Sequence, residues 1–366
     1  MKKSNIDYLL LFMILVLVAI GITMVFSSSY YYALNKWHDK FHFLKKELLW
    51  GAIGLVVMTI TTNIPYRAYK ILSWFMAGGA VVLLGMTLVM GDSYNGAQRW
   101  LTLAGFQFMP SEIAKISMII FFAHMLSSKK YSIKKFLDLF KPYLVVVAVV
   151  AYLVLMQPDY STTAVIVTVL LSMIFVSGAK VIYFIPMISI AGIAGWYFIV
   201  ESSYRAKRFL TFLDPFSDPM GSGWQIVNSL YALGSGGIFG VGLGQSTQNK
   251  LYIPEPQNDF ILATFGEEFG FVGNIFLLSI FLILIWRGIK IAKETNDNFG
   301  SLLAYGITFL VAVQAIINVG VSTSLLPVTG MPLPFISFGG TSLVILMGSM
   351  GILLNISKHS GNKEIS

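Results

Sequence analysis

Apolar runs of close to twenty residues recur from one end of this chain to the other. A helix of that length matches the hydrocarbon core of a bilayer, which is about 30 Å thick. The composition agrees, because 56% of the 366 residues are hydrophobic and only 11% are charged. Soluble domains carry about 25% charged residues. The pattern therefore predicts an all-α polytopic membrane protein.

About ten transmembrane helices fit the pattern. The N-terminus opens like a signal peptide, but its apolar run is too long and no A-x-A cleavage site follows, so we expect a retained first helix. The predicted spans are residues 7–28, 46–63, 71–90, 110–127, 143–157, 161–178, 181–200, 260–286, 301–322 and 341–356.

The basic residues orient these spans. With the N-terminus inside, the cytoplasmic segments hold fifteen of the 25 Lys and Arg residues, and the short loop at residues 129–141 supplies five of them. The positive-inside rule then predicts that both termini are cytoplasmic. The same residues explain most of the net charge of +8 without any nucleic-acid partner. We expect a single integral membrane domain over residues 1–366.

One outer segment, residues 201–258 between spans seven and eight, is far longer than the other connections, and long ordered loops often carry function. Arg205 and Arg208 are three residues apart, as are Phe209 and Phe212. That spacing suits a short helix lying in the membrane interface. A glycine-rich run, GSGGIFGVGLGQ, follows and is interpreted as a flexible interfacial or re-entrant segment.

Several kinds of chemistry are excluded or disfavoured. There are no cysteines, so disulfides, thiolate metal sites and cysteine nucleophiles are absent. The four histidines do not have metal-ligand spacing. No G-x-S-x-G motif and no P-loop occurs, which disfavours serine hydrolase and ATP-driven chemistry.

The stretch PEPQNDFILATFGEEFGFVG places four carboxylates in an otherwise apolar chain. Charges near hydrocarbon are costly and tend to be functional. Asp259 precedes a predicted helix, so it is either an N-cap or a general base at the outer membrane surface. Glu267 lies two helical turns further on and is predicted on the same face. Glu268 is predicted to face a neighbouring helix or a cation.

Further polar candidates lie at the outer ends of spans. Glu112 and Lys115 in PSEIAK are expected to pair, either to neutralise each other or to present the lysine to an anionic headgroup. Arg99, beside Trp100, is an interfacial anchor or a phosphate contact. Asp159 in QPDYST belongs to a tight turn or acts as a functional acid.

The stretch PVTGMPLPFISFGGTS is rich in proline and glycine. Non-helical backbone persists at membrane depth only where it is buried in protein or lines a cavity. It is therefore a structured cap or, as we favour, a cavity wall with hydroxyls that bind polar groups. Those hydroxyls belong to Thr329, Ser337, Thr341 and Ser342.

An outer cavity with carboxylates, cations and a lipid boundary suits a substrate with a lipid tail and a phosphate head. Two functions fit: a transferase acting on a lipid-linked phosphate, or a flippase or transporter of that lipid. A transporter is expected to carry polar sites near the bilayer midplane, whereas the charges here crowd the outer ends. Chemistry is therefore favoured, and a scaffold without chemistry leaves the carboxylates unexplained.

Taken together, these motifs resemble the shape, elongation, division and sporulation (SEDS) family of RodA, FtsW and SpoVE. The resemblance covers essentially the whole chain, and its closing GILLNISK is more similar to the division and sporulation branch, FtsW and SpoVE. Two departures are Met109 where the family has Gln, and Tyr160 and Ser161 after QPD. The matching motifs, in order, are NGAQRW, PSEIAK, QPDYST, GWQIVNSLYALGSGGIFGVGLG, LYIPEPQNDFILATFGEEFG and LLPVTGMPLPFISFGGTS.

The resemblance implies a peptidoglycan glycosyltransferase that polymerises lipid II at the outer face of the cell membrane. Asp259 is then the catalytic residue and takes a proton from the acceptor hydroxyl. The departing undecaprenyl diphosphate needs positioned cations, with Arg205 and Arg208 as the preferred pair. The other candidate cations are Arg99, Lys115 and Lys250.

The resemblance also implies partners: a class B penicillin-binding protein, other cell wall or divisome proteins, and membrane lipids. Glu112 would orient Lys115. Glu267 and Glu268, with Asp159, would support the cavity, and the two glutamates could hold a divalent cation such as Mg²⁺ or Mn²⁺. No organic cofactor is expected. The sequence alone assigns no metal.

Overall fold

The computed structural model is mostly helical. Every predicted span overlaps a helix, and five helices (α1, α3, α9, α10 and α11) are long and apolar enough to cross a membrane. The structure describes residues 6–94, 97–103, 105–128, 143–201, 207, 210–248 and 256–360. The helices are α1 (Tyr8–Trp37), α2 (His42–Asn63), α3 (Tyr66–Met90), α4 (Pro110–Ser127), α5 (Val145–Leu155), α6 (Tyr160–Val176), α7 (Phe184–Glu201), α8 (Trp224–Ser235), α9 (Ile261–Glu294), α10 (Asn298–Ser322) and α11 (Gly340–Ser357).

Local sequence fixes where several helices begin. Asp7 caps α1 by accepting a hydrogen bond from the Leu10 N–H at 3.0 Å. Asp297 caps α10 in the same way through the Gly300 N–H at 2.9 Å. Pro110 occupies the first turn of α4. Backbone N–H groups in the first turn make no intrahelical hydrogen bond, so a proline, which lacks the N–H, is tolerated there.

The helix α10 lies at the centre of the bundle, in contact with α4, α6 and α9. In the apolar windows of α10 and α11, 67% and 72% of residues are buried, against 28% in α3 and α9. The helices α2 and α11 pack closely because Gly351 has no side chain to meet the Met58 carbonyl. Thr61 Oγ1 donates to the Gly348 carbonyl at 2.9 Å across this contact, as small and hydroxyl residues do between membrane helices.

Two features between the spans were not predicted. The first is a small antiparallel sheet of three strands, β1 (Asp92–Tyr94), β2 (Ala97–Leu103) and β3 (Phe106–Phe108), in the order β1-β2-β3. The second is α8, which lies inside the long segment that the sequence analysis assigned to a loop and packs on α9 and α10. Its Ser229 hydroxyl donates to the Ser322 carbonyl at 2.8 Å.

The helix α9 is broken at Gly270, whose φ of 67° and ψ of −164° are not helical. The glycine-rich run fills the break. The N–H groups of Val241 and Gly242 donate to the carbonyls of Glu267 and Glu268, each at 3.0 Å. In return the Gly237 and Ile238 carbonyls accept from the N–H groups of Phe271 and Val272, at 2.9 and 3.0 Å. The backbone groups freed by the break are thereby satisfied, as a low-dielectric environment requires.

Candidate functional site

Asp259 lies in the turn at residues 256–260 that leads into α9 and is half-buried. The N-cap of α9 is Phe260, which makes no side-chain capping bond, so the N-cap alternative for Asp259 does not hold. A Cβ placed on Gly330 would lie 3.4 Å from Asp259 Oδ2. The main-chain carbonyl of Asp259 accepts from Asn318 Nδ2 at 2.8 Å. The carboxylate therefore stands against the non-helical connection between α10 and α11.

That connection, residues 323–339, wraps around the Asp259 turn. The Phe338 N–H donates to the Gln257 carbonyl at 2.9 Å. Ser337 Oγ accepts from the Leu333 N–H at 2.8 Å, so this hydroxyl holds its own turn. Thr329 Oγ1 is buried and has no hydrogen-bond partner within the described protein. Among the four predicted hydroxyls, those of Ser337 and Ser342 each make a hydrogen bond, whereas that of Thr329 is buried with its full hydrogen-bonding capacity unused.

The turn before α6 joins the same connection. Ser161 Oγ donates to the Thr329 carbonyl. Asp159 caps α6 by accepting from the Thr162 N–H at 3.2 Å. Its Oδ2 is buried and accepts no hydrogen bond from the described residues. Because the turn role uses only one carboxylate oxygen of Asp159, the other remains for a polar ligand.

Arg99 projects from β2 onto this turn. Its Nε donates to the Gln157 carbonyl at 3.4 Å, and its Nη2 donates to the Pro158 carbonyl. Nη1 lies 3.9 Å from Asp159 Oδ1. The guanidinium is therefore anchored to protein, although 31% of the side chain stays exposed. A partly exposed guanidinium of this kind can also bind an anion.

Glu112 and Lys115 form the predicted pair at the start of α4. Lys115 Nζ donates to Glu112 Oε1 at 2.7 Å. Glu112 Oε2 accepts from Ser342 Oγ at 3.0 Å. The residues are only 7% and 2% exposed, so the pair ties α4 to the first turn of α11. Buried charges of this kind must be paired to be tolerated.

Glu267 is saturated by donors from one turn. Its Oε1 accepts from the Thr247 N–H at 2.9 Å and from Thr247 Oγ1 at 2.7 Å. Its Oε2 accepts from Ser246 Oγ at 2.5 Å and from the Gln248 N–H at 3.3 Å. The carboxylate thus holds residues 246–248 in place and has little capacity left for a metal.

Glu268 reaches a neighbouring helix, as the sequence predicted. Its Oε1 accepts from Ser27 Oγ of α1 at 2.5 Å. Among the described residues, no group of three or more His, Asp or Glu side chains is arranged to hold a metal ion. Glu267 is already satisfied by protein donors, whereas Oε2 of Glu268 is buried without a partner among the described residues. The expected Mg²⁺ or Mn²⁺ stays a prediction.

Three predicted cations, Arg205, Arg208 and Lys250, lie outside the described residues, as does most of the predicted surface helix. Residues 210–213 at its end are helical. Beyond them Asp218 accepts from the Ser222 N–H and hydroxyl at 3.1 and 3.0 Å and pairs with Lys207 at 3.1 Å. The Ser222 N–H, then Lys207, then the Ser222 hydroxyl lower the pKa of Asp218 to about 2.

Sequence analysis missed a polar stripe on α10. Gln314, Asn318 and Ser322 follow one another at four-residue spacing and are 3%, 0% and 0% exposed. Residues at i, i+4 and i+8 share one helix face. The sequence did contain an indication of this stripe. An amide inside an apolar span costs free energy and is retained for a specific contact.

These observations define an integral membrane protein in which turns, and one broken helix, gather polar groups around a half-buried aspartate. The "Cell cycle protein" family model FTSW_RODA_SPOVE matches residues 7–362. The chain is 42% identical to stage V sporulation protein E of Bacillus subtilis, covering 98% of this chain and 99% of that protein. The chain belongs to the FtsW/RodA/SpoVE family.

Two further similarities agree. A probable peptidoglycan glycosyltransferase FtsW of Geobacter sp. strain M18 is 39% identical, over 97% of this chain and 98% of that one. A solved chain from a structure of a peptidoglycan synthase complex, concerned with coordination of polymerization and crosslinking, superposes with a TM-score of 0.79 at 24% identity. That superposition covers 96% of this chain and 97% of the other, and it supports the fold.

Proposed function

We propose that this protein is a peptidoglycan glycosyltransferase that polymerises lipid II into β-1,4 glycan strands, in division- or sporulation-associated wall synthesis. The observation that carries the proposal is the half-buried Asp259 carboxylate against Gly330, in a chain whose relatives include a probable peptidoglycan glycosyltransferase. The single domain spans residues 1–366. The protein lies in the cytoplasmic membrane of a bacterium and crosses it with ten transmembrane helices. Both termini are cytoplasmic, and the segment 201–258 lies on the outer side.

Asp259 acts as the general base. A sugar hydroxyl is a poor nucleophile until its proton is removed, and a carboxylate within hydrogen-bond reach can take that proton. The acceptor oxygen forms a bond to the anomeric carbon of the donor as the bond to the diphosphate oxygen breaks. The proton ends on Asp259, and the electron pair leaves with undecaprenyl diphosphate. A single displacement inverts the α-linked donor and needs no enzyme nucleophile.

The leaving diphosphate gains negative charge, and fixed cations stabilise it without reorganisation. Arg99 supports this role, since its guanidinium is held by two carbonyls and remains partly exposed. Arg205, Arg208 and Lys250 keep the diphosphate-binding role expected from the sequence. Lys115 is buried against Glu112, which favours shaping of the site through α4 and α11 over direct contact with the headgroup.

The segments beside Asp259 also carry polar groups that can hydrogen-bond to substrate hydroxyls. Thr329 Oγ1 and Asp159 Oδ2 are buried polar atoms without a described partner, and such atoms call for a bound group or water. Ser161 links their two segments through the Thr329 carbonyl. We assign Thr329 and Asp159 to the sugar or peptide portion of the substrate, with Ser337 shaping the turn beside them.

The partner we propose is a class B penicillin-binding protein, whose transpeptidase would crosslink the strands as they form, alongside other divisome or cell wall proteins. The similarity to a chain of a synthase complex that couples polymerization with crosslinking supports this assignment. No step above depends on a divalent cation. A cation that assists the reaction would act on the substrate diphosphate.

The test uses purified protein in liposomes with labelled lipid II, with and without the cognate penicillin-binding protein. Asp259→Asn is compared with Asp39→Asn, the same change in an exposed pair with Lys45. We expect strands from the wild type and from Asp39→Asn, and none from folded Asp259→Asn. Absence of strands from the wild type, together with movement of labelled lipid II across the bilayer, would instead support a transporter.

A further inference from the structure

The polar stripe of α10 contacts both non-helical segments of the site. Gln314 Nε2 approaches Met331 Sδ at 3.8 Å, a weak contact with a poor acceptor. Asn318 makes stronger bonds, and its side chain is fully buried. An amide placed in a membrane helix costs free energy unless its hydrogen bonds are made. Both N–H donors of Asn318 are used, whereas its buried Oδ1 has no partner among the described residues, so the donors explain why an amide occupies this position.

The two N–H donors of Asn318 reach two different segments. Nδ2 donates to the Asp259 carbonyl at 2.8 Å and to the Met331 carbonyl at 2.7 Å. Both carbonyls belong to backbone outside the helices, in the turn before α9 and in the connection before α11. One side-chain amide thus bridges the chain on either side of the site.

The Asn318 bridge determines where the Asp259 carboxylate lies relative to residues 329–331. Met331 follows Gly330, and a Cβ on Gly330 would lie 3.4 Å from the Asp259 carboxylate. Thr329 precedes Gly330 and is fixed to α6 through Ser161. Fixing the carbonyls of Asp259 and Met331 to one amide therefore fixes the carboxylate against residues 329–331.

We propose that Asn318 is a positioning residue for glycosyl transfer, an inference that rests on the function proposed above. Its amide holds Asp259 at the distance from residues 329–331 at which the carboxylate meets the acceptor hydroxyl. Both hydrogen bonds that its Nδ2 donates go to main-chain carbonyls, so through them Asn318 acts on the position of Asp259. A misplacement of about 1 Å in a reacting group costs on the order of a hundredfold in rate.

The expected kinetic signature separates kcat from KM. Asn318→Leu removes both donors at similar volume, so we expect kcat for strand formation to fall by about tenfold or more. KM for lipid II should stay within about twofold, because no binding group is removed. Asn318→Gln keeps the amide on a longer stem and should give a kcat between those of the wild type and Asn318→Leu.

Gln314→Leu is the matched control. It removes a buried amide one turn away on the same stripe, where the amide meets Met331 but not Asp259. Its kcat should stay within about twofold of the wild type, since the Asp259 carbonyl keeps its donor. A merely structural role of Asn318 would lower the unfolding midpoint of Asn318→Leu and leave its kcat per folded molecule at the level of Gln314→Leu.

Hydrogen–deuterium exchange supplies a readout that does not require activity. In Asn318→Leu we expect faster exchange in peptides covering residues 256–260 and 328–333, with unchanged exchange in α5. If Asn318→Leu does not fold, Asn318→Gln carries the test. Wild-type kcat in a folded Asn318 variant, or wild-type exchange at both segments, overturns the inference.

The two proposals can fail separately. A wild-type protein that makes no strands, or a fully active Asp259→Asn, overturns the proposed function and the catalytic meaning of the Asn318 bridge with it. A wild type that polymerises, an inactive Asp259→Asn and a fully active Asn318→Leu overturn only the positioning role.

Discussion

Lys115 Nζ lies 2.7 Å from Glu112 Oε1 in a pair almost wholly withdrawn from solvent. Breaking a buried pair from one side leaves the other charge uncompensated, at a cost of about 3–5 kcal/mol. We therefore expect Lys115→Met to lower the apparent unfolding midpoint strongly. The double variant Glu112→Gln/Lys115→Met should recover much of that loss. Thermal unfolding in detergent measures both.

Lys45→Met is the control for this comparison. Lys45 pairs with Asp39 at a similar distance, 2.8 Å, but the side chains are 68% and 38% exposed. Exposed ion pairs contribute little, so the midpoint should barely move. Equal shifts for Lys45→Met and Lys115→Met, or a double variant worse than Lys115→Met, would contradict the assignment of Lys115 to a buried structural pair.

Glu267 offers a test of the expected cation. Glu267→Gln replaces one acceptor oxygen by an NH₂ that faces donors from residues 246–248. An unsatisfied buried group costs about 1–3 kcal/mol, so the variant should unfold at a lower temperature. If Glu267 is structural, the Mg²⁺ or Mn²⁺ concentration for half-maximal polymerisation should not change. A many-fold increase in that concentration would make Glu267 a metal ligand after all.

The sequence predicts where the long helices lie, but not their internal breaks or the short elements between them. Apolar runs located the helices, since burial in lipid leaves few other options. They did not reveal the break at Gly270, because a glycine inside a predicted helix does not by itself indicate non-helical backbone. Nor did they reveal α8, which was assigned to the long outer segment. The strands of the small sheet are too short for their alternation to be recognised.

In the candidate site, too, some contacts could be predicted from the sequence and others could not. Glu112 with Lys115 was predictable because i and i+3 on one helix must meet. An amide at Asn318 inside an apolar span could have been noticed, but its contacts were not predictable, since its partners Asp259 and Met331 are distant in sequence and offer main-chain carbonyls. The spacing argument for Glu267 assumed one continuous helix from Asp259, but α9 begins only at Ile261.

Asp218 should make the outer segment sensitive to acid. The folded pKa is lowered to about 2 from 3.8, first by the Ser222 N–H and then by Lys207. A depressed folded pKa contributes stability that is complete above the unfolded value and is lost as the pH falls through the folded one. Hydrogen–deuterium exchange of residues 214–223 should therefore lose protection, corrected for intrinsic rates, between about pH 4 and pH 2.

Asp218→Asn is the comparison for that experiment. The amide cannot titrate in this range, so its local protection should be the same at both ends of the pH series. A wild-type segment whose corrected protection also stays constant would show that the Asp218 contacts with Lys207 and Ser222 do not hold it.

Gly270 is the position in α9 where a single methyl group should be least tolerated. Its φ of 67° lies in the left-handed region, where a non-glycine residue costs about 1–2 kcal/mol. A Cβ there would also lie 2.6 Å from the Ile238 carbonyl and closer still to the Gly240 N–H. Because both are backbone groups of the segment that fills the break, that segment must move away for Gly270→Ala to fit. We expect a lower unfolding midpoint and loss of polymerisation, since Glu267 on the same turn organises residues 246–248.

Gly78→Ala in α3 is the control, because its Cβ meets nothing within 4 Å, and alanine in a helix is favoured by about 1 kcal/mol over glycine. That variant should match or exceed the wild-type midpoint, and a Gly270→Ala protein with wild-type midpoint and rate would show that the break in α9 does not depend on glycine.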